Sequence, residues 1–143
     1  MIRPPTLNDV DKLVELGVEF GEKSRPVHTM SVDAELVRDT IYRVIENKDS
    51  IGFVLEEDGI VEGFIYGVIL RTFFSHEWVL QELAWYSRRQ VAGLRLMKVF
   101  EEEAKQRGIK KIVMGSKPEF CDLRKIYIRK GYRLFEEQFI KEI

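Results

Sequence analysis

The densest chemical signal in the chain is the run Ser87-Arg88-Arg89-Gln90-Val91-Ala92-Gly93-Leu94-Arg95. It follows a β-type apolar stretch and opens a helix-type one, so it reads as a tight strand-to-helix turn with a glycine in the first helical turn. The first amides of a helix have no intrahelical acceptor, and the helix dipole places partial positive charge there, so such a turn is an anion site. Arg88, Arg89 and Arg95 crowd this positive end, while Glu101, Glu102 and Glu103 sit further along. Each cation near a helix start is unfavourable by roughly 0.3–1 kcal/mol unless something offsets it. A bound polyphosphate would remove the conflict. Pairing of the arginines with surface carboxylates is the competing arrangement.

Two further side chains are candidates for proton chemistry. Glu82 lies between Leu80 and Leu83 in an otherwise apolar strand, where a carboxylate is either a wet-edge residue or a base. Tyr127 falls with Leu123 and Ile126 on the inner face of a short helix, a periodicity that by itself favours a packed core tyrosine. Glu77 and Asp122 are the next carboxylates in line. Phe73, Phe74, His76 and Trp78 form an aromatic-rich segment that could line a pocket, make a satellite cluster or close a dimer contact. His28 and Cys121 read as structural or surface residues.

The elements that must hold these residues follow from periodicity and turn chemistry. A short strand at 1–3 ends at two prolines, and a helix capped by Thr6 or Asn8 is expected near 8–23. Residues 24–31 read as a loop. Ser31 or Asp33 caps a second helix to about Asn47, with Leu36, Val37, Ile41, Val44 and Ile45 at helical spacing. Strands are expected at 51–55, 60–70 and 78–86, the first two joined by the hairpin turn Glu57-Asp58-Gly59 and the last two by a loop at 71–77. A helix at 91–107, with Gly93, Met97, Phe100 and Ala104 on one face, stops at Gly108. A strand at 109–114, a short helix at 121–130 closed by Gly131, and a last strand at 132–140 complete the chain. The order β-α-α-β-β-β-α-β-α-β implies an α/β fold with a mixed, mostly antiparallel sheet and helices on both faces.

Composition bounds the rest. A chain of 143 residues suits one domain, 1–143, and 45% apolar with 33% charged residues is enough to build a core. The formal net charge of −1 gives no bulk attraction to nucleic acid or membranes. The single cysteine excludes an intramolecular disulfide and points to a reducing, cytoplasmic compartment. Two histidines far apart leave no metal-ligand spacing, and the longest apolar run, Gly63 to Leu70, is too short to span a bilayer. A soluble protein without a metal, a signal peptide or a nucleic-acid partner is expected.

Arg88-x-x-Val91-x-Gly93, between a strand and a helix carrying Leu96-Met97 and Phe100-Glu101, resembles motif A of the Gcn5-related N-acetyltransferases. The resemblance continues through Ala104 and Gly108 into Ile112-Val113-Met114. It then reaches Tyr127-Ile128-Arg129-Lys130-Gly131-Tyr132, which is similar to the family's Tyr-x-x-x-Gly-Phe, and it includes the opening Ile2-Arg3-Pro4 with Asp9 and Leu13. Glu82 to Tyr86 and Ala92 to Leu96 look particularly like phage-encoded members. The chain departs from the pattern where Val91 replaces the first motif glycine, where the usual Pro-containing link before motif A is shortened, and where Phe120 stands in place of a frequent Asn.

The resemblance implies an N-acetyltransferase that uses acetyl-CoA without a metal, moving the acetyl group to a primary amine by direct attack in a ternary complex. It places the pyrophosphate on the amides of Arg88 through Arg95, the pantetheine beside Trp85 and Ser87, and the proton donor to the departing thiolate at Tyr127. Sheet packing is the competing role for Trp85 and Ser87. An amine near pKa 10 arrives protonated at pH 7, which gives Glu82 a task as base. The acceptor is a small amine, an amino acid, an antibiotic or a protein amine, and loops 24–31 and 71–77 are expected to select it. A CoA-binding or partner-binding domain without turnover is the alternative reading, and a homodimer is compatible with either.

Overall fold

A computed structural model describes all residues from Met1 to Ile143. The hydrophobic pattern sets up five strands in sequential order across one sheet: β1 (Ile2–Arg3), β2 (Ser50–Glu57), β3 (Ile60–Arg71), β4 (Trp78–Ser87) and β5 (Lys111–Val113). The first four run antiparallel to their neighbours, and β5 lies parallel to β4. The β2–β3 turn is made by Asp58 and Gly59, both at positive φ (52° and 77°), which suits a two-residue hairpin loop.

Alternation along the strands divides the core in two. One face carries Ile51, Phe53, Leu55, Ile65 and Leu80 against Leu96, Phe100 and Ala104 of α3 (Gln90–Gln106). The other carries Val54 and Val61 against Leu13 and Leu16 of α1 (Val10–His28). The expected mixed sheet with helices on both faces is therefore present. No helix is long and apolar enough to cross a membrane.

Helix α2 (Ala34–Glu46) is capped by the Asp33 carboxylate, which accepts the amides of Glu35 (2.8 Å) and Leu36 (3.3 Å). Its apolar stripe faces the sheet beside α1, yet none of its residues is fully buried. Two close contacts fix its height. Val37 meets Gly17 of α1, and Val44 meets Gly52 of β2, each where an added Cβ would come within 3 Å of the valine. Between these contacts lies an apolar cavity of about 390 Å³.

Two expectations about elements need correction. Residues 24–28, expected in a loop, continue α1 through Pro26. Pro26 lacks the N–H that would bond the Glu22 carbonyl, yet the helix continues past it, and its later turns gain side-chain bonds. Ser24 Oγ donates to Phe20 O (2.7 Å), and His28 Nε2 donates to Gly21 O (2.9 Å) while Nδ1 accepts the Met30 amide. The strand expected at 132–140 does not form; Leu134, Phe135, Phe139 and Ile140 are exposed. A strand needs a partner edge, and β5 offers only three residues. The short helix is α4 (Arg124–Arg129), because Asp122 folds back on the amide and guanidinium of Arg124 ahead of it.

The N-terminal strand is tied to α1 by a buried ion pair. Asp9 accepts two bonds from the Arg3 guanidinium (2.7 and 2.9 Å) and one from the Thr6 amide (2.7 Å). Arg3 holds the Asp9 carboxyl below its ordinary pKa, with the Thr6 amide acting in the same direction against burial. A depressed carboxylate stabilises the fold above its unfolded pKa of about 3.9, and that contribution is lost as pH falls through the lower folded value. Asp9→Ala is expected to cost about 1–3 kcal/mol by urea unfolding at pH 7, because the Thr6 amide and the Arg3 guanidinium lose their acceptor while Arg3 keeps Glu56. The difference between variant and wild type should shrink as the pH falls below about 4.

Candidate functional site

Strand β4 pairs with β3 along its whole length but with β5 only at Val79–Gln81. From Glu82 onward its second edge is open. The parting coincides with a bulge, where the register against β3 shifts between Tyr66 and Gly67 and Leu83 is the extra residue. A bulge bends its strand and increases its twist. Gly67 permits the bend, since a Cβ there would lie 2.6 Å from both Gln81 O and the Phe100 ring. Beyond the bulge, the Arg88 amide donates to Glu62 O of the β3 side (2.9 Å). Alternation then turns the amides of Trp85 and Ser87 toward the open edge.

The turn into α3 continues that edge. Ser87 Oγ accepts the Arg89 amide (3.0 Å) and donates to Arg89 O (2.8 Å), which closes the corner. Arg89 is the N-cap but provides no side-chain cap. The amides of Gln90, Val91 and Ala92 precede the first intrahelical bond, from Gly93 N to Arg89 O (2.7 Å), so they face outward without a helical acceptor. Together with Arg89 and Arg95 they line an open depression. Val91 is exposed and projects from the turn, so the missing motif glycine leaves the amides accessible. Leu94 lies partly exposed on the outer side of the helix.

The arginines are only partly free for an anion. Arg88 is bound to Glu15 (2.8 Å) and Glu19 (2.9 Å) of α1, and Arg95 to Glu57 (2.6 Å). Arg88, with help from the Tyr86 hydroxyl, holds Glu19 down to about pKa 2. Carboxylate pairing therefore accounts for two of the three arginines, and Arg89 makes no ion pair.

Gly93 has a packing role. It is buried, and a Cβ on it would sit 2.6 Å from Ser87 Cβ, so the glycine lets α3 start directly against β4. Trp85 locks the same contact from the strand, its indole N–H donating to Gly93 O (3.2 Å), and its ring lies 6.5 Å from that of Tyr127.

The structure brings Glu82 and Tyr127 to one residue, Gly115, through the two peptide groups that flank its Cα. The Gly115 amide donates to Glu82 Oε2 (3.0 Å), and the Tyr127 hydroxyl donates to Gly115 O (2.6 Å). Burial raises the Glu82 pKa above the ordinary carboxylate range, against the opposing Gly115 amide and Lys117. Tyr127 is 7% exposed, and burial followed by the nearby Glu82 charge pushes its pKa well up. The phenol keeps its proton at any working pH. Gly115 itself escaped the sequence reading, because a peptide bridge leaves no side-chain signal.

The other candidates lie elsewhere. Glu77 is paired with Lys111 (2.7 Å) and Asp122 with Arg124 (2.8 Å), both at the surface. Phe73 and Phe74 project into solvent, and Trp78 stacks under Arg71 instead of clustering with them. The aromatic cluster of the fold is a different one, in which Phe20 contacts Phe64, Tyr86 and Phe120 at centroid distances of 5.5–6.3 Å. Its members are scattered along the chain, so no local run of aromatics announced it.

No family model matches the chain, and no curated protein matches it. Solved structures do. A probable acetyltransferase superposes with a TM-score of 0.77 at 19% identity, covering 100% of this chain and 97% of that one. A ribosomal-protein-alanine N-acetyltransferase from Brucella melitensis biovar Abortus gives 0.71 at 15% identity, with 100% and 99% covered. An aminoglycoside N-acetyltransferase in complex with CoA gives 0.76 at 13% identity, with 100% and 93% covered. The fold is that of these acetyltransferases over the full length of the chain.

The Gly93 contact predicts the sign of a substitution. Glycine to alanine inside a helix ordinarily gains up to about 1 kcal/mol. Gly93→Ala should instead destabilise by about 1–3 kcal/mol through overpacking against Ser87. Adding Ser87→Gly should recover part of the loss, seen as a non-additive term in a double-mutant cycle. A stabilised Gly93→Ala would show that the helix start has room for the methyl group.

Proposed function

We propose that the protein is an acetyl-CoA-dependent N-acetyltransferase that moves the acetyl group to a primary amine within a ternary complex. The observation that carries this reading is the continuity of the open β4 edge with the outward amides at the start of α3. A strand edge with alternate free amides suits the extended, amide-bearing pantetheine arm, and three convergent amides beside Arg89 suit a pyrophosphate. Both belong to one molecule, CoA, and the two donor sets are adjacent in the chain. The shared fold with a CoA-bound acetyltransferase supports the same donor.

Roles for the remaining residues follow from their chemistry. Glu82, with a raised pKa, accepts the proton that the substrate ammonium must lose, directly or through water. The freed amine forms its bond to the thioester carbonyl carbon, the nitrogen sheds its second proton to solvent, and the carbon–sulfur bond breaks with its electron pair left on sulfur. Tyr127 turns its O–H from Gly115 toward that sulfur, donates its proton there and is reprotonated from solvent. The two groups are coupled. Burial is the main cause of the raised Tyr127 pKa, and protonation of Glu82 removes the next one, which makes the phenol a better acid. Holding amine and thioester together in one groove supplies much of the acceleration.

The test is release of free thiol from acetyl-CoA across a panel of amines, with wild type, Tyr127→Phe and Glu82→Gln. With an accepted amine, each variant should lower kcat by about 10²–10⁴-fold while the KM for acetyl-CoA stays near wild type. The acid limb of kcat/KM should lie above the usual carboxylate value of about 4.3, because Glu82 works only when deprotonated, and Glu82→Gln should abolish that limb. Acetyl-CoA binding with no thiol release from any amine would replace the enzyme with a CoA-binding domain. Wild-type turnover in Tyr127→Phe would return that residue to the core.

A further inference from the structure

We propose, building on the acyl-transfer reading, that the acceptor is an amine with an uncharged, apolar body, and that this body is housed in the cavity beneath α2. The cavity holds about 390 Å³, a volume within the range of small-molecule sites. It runs under α2 across β2, β3 and β4, walled by Leu13, Phe20, Leu36, Ile41, Val44 and Phe64. No charged side chain lines it. Of its polar groups, the Thr40 hydroxyl is already spent on Leu36 O (2.9 Å), and the Tyr66 hydroxyl has no hydrogen-bond partner in the fold. A pocket with so apolar a lining favours apolar occupants. A polycationic body such as a polyamine or an aminosugar would lose its hydration there and find no carboxylate.

The void is a feature of the packing, since α2 is already seated on both sides of it. Val37 rests against Gly17 and Val44 against Gly52, so the helix cannot drop further to close the space. Its apolar stripe is left facing a gap, and Leu36 at the rim remains 62% exposed.

The cavity also reaches the β4 bulge that precedes the open edge. Leu83 and Ala84 of the β4 bulge form its far wall, and Glu82 is the next residue in the chain. Phe20 touches Phe120 (6.0 Å) and lies under the Lys117 ammonium (5.3 Å), and the Lys117 charge acts on Glu82. The 115–120 segment that supplies the Gly115 peptide thus packs against the cavity wall. An amine nitrogen near Glu82 would have its substituent directed past the bulge into this space. Phe120 makes that approach apolar.

The test is a series of n-alkylamines from ethylamine to hexylamine, with phenethylamine and spermidine, at fixed acetyl-CoA. Each methylene placed in the cavity should raise kcat/KM about fourfold, and hexylamine should exceed ethylamine by on the order of 10²-fold. Thr40→Phe, and the milder Thr40→Leu, should shrink the hexylamine-to-ethylamine ratio by filling the space, with the thermal midpoint confirming that each variant folds. A flat series, a preference for spermidine or an unchanged ratio in both variants overturns the proposal while leaving acyl transfer intact. A rate that climbs with acyl length in butyryl- and hexanoyl-CoA instead would assign the cavity to the donor and overturn it equally. If no amine is acetylated, the acyl-transfer reading fails, and calorimetric titration with hexylamine decides separately. Binding weakened by Thr40→Phe supports the apolar site, and no binding removes it.

Discussion

Strands β4 and β5 share three residue pairs and then part, and most of the candidate site depends on that parting. Had pairing continued, the amides of Trp85 and Ser87 would be spent inside the sheet. The bulge at Leu83 bends β4 away, and it exists because Gly67 lets the Phe100 ring and the Gln81 carbonyl approach where any Cβ would collide. Across the gap lies Gly115, its N–H bonded to Glu82 of β4 and its carbonyl accepting the Tyr127 hydroxyl of α4. A single residue therefore links the two ionisable groups across the opening.

The electrostatics of the α3 start show how a local conflict is managed by the fold. Three arginines near a positive helix end are unfavourable as a local arrangement. Glu15 and Glu19 on α1 neutralise Arg88 and tie the end of β4 to that helix, and Glu57 on β2 does the same for Arg95. What remains outward is a set of neutral amide donors with Arg89 beside them. Such a surface binds an anion through directed hydrogen bonds, with little long-range charge, in keeping with a net charge of −1.

Legibility in the sequence followed how local each signal was. The strand-to-helix turn, the Asp58-Gly59 hairpin and the α3 stripe of Met97, Phe100 and Ala104 depend on neighbours within a few residues, and the structure forms them. The loop expected from residue 24 is helical to His28, with Ser24 and His28 bonded to carbonyls four and seven residues back, contacts visible only in three dimensions. The segment 132–140 misled because strand propensity does not supply a partner edge. Among site residues, the backbone donors were readable from the turn alone, and Glu82 from its apolar setting. The Gly115 bridge, the Phe20–Phe120 contact and the space under α2 arise from elements distant in the chain, and composition holds no trace of them. Gly93 was read as part of an anion-binding turn, and the structure shows in addition a packing contact, with Ser87, that leaves no room for a Cβ.

On this proposal the free amides of Trp85, Ser87, Gln90, Val91 and Ala92 together serve one acyl-CoA. Amide-resolved NMR during titration with acetyl-CoA tests this most directly. The account predicts that the largest shifts and new protection from exchange fall on Trp85, Ser87, Gln90, Val91 and Ala92, with β2 and the end of α2 unaffected. Perturbations centred elsewhere, with those five amides unmoved at saturation, would contradict it.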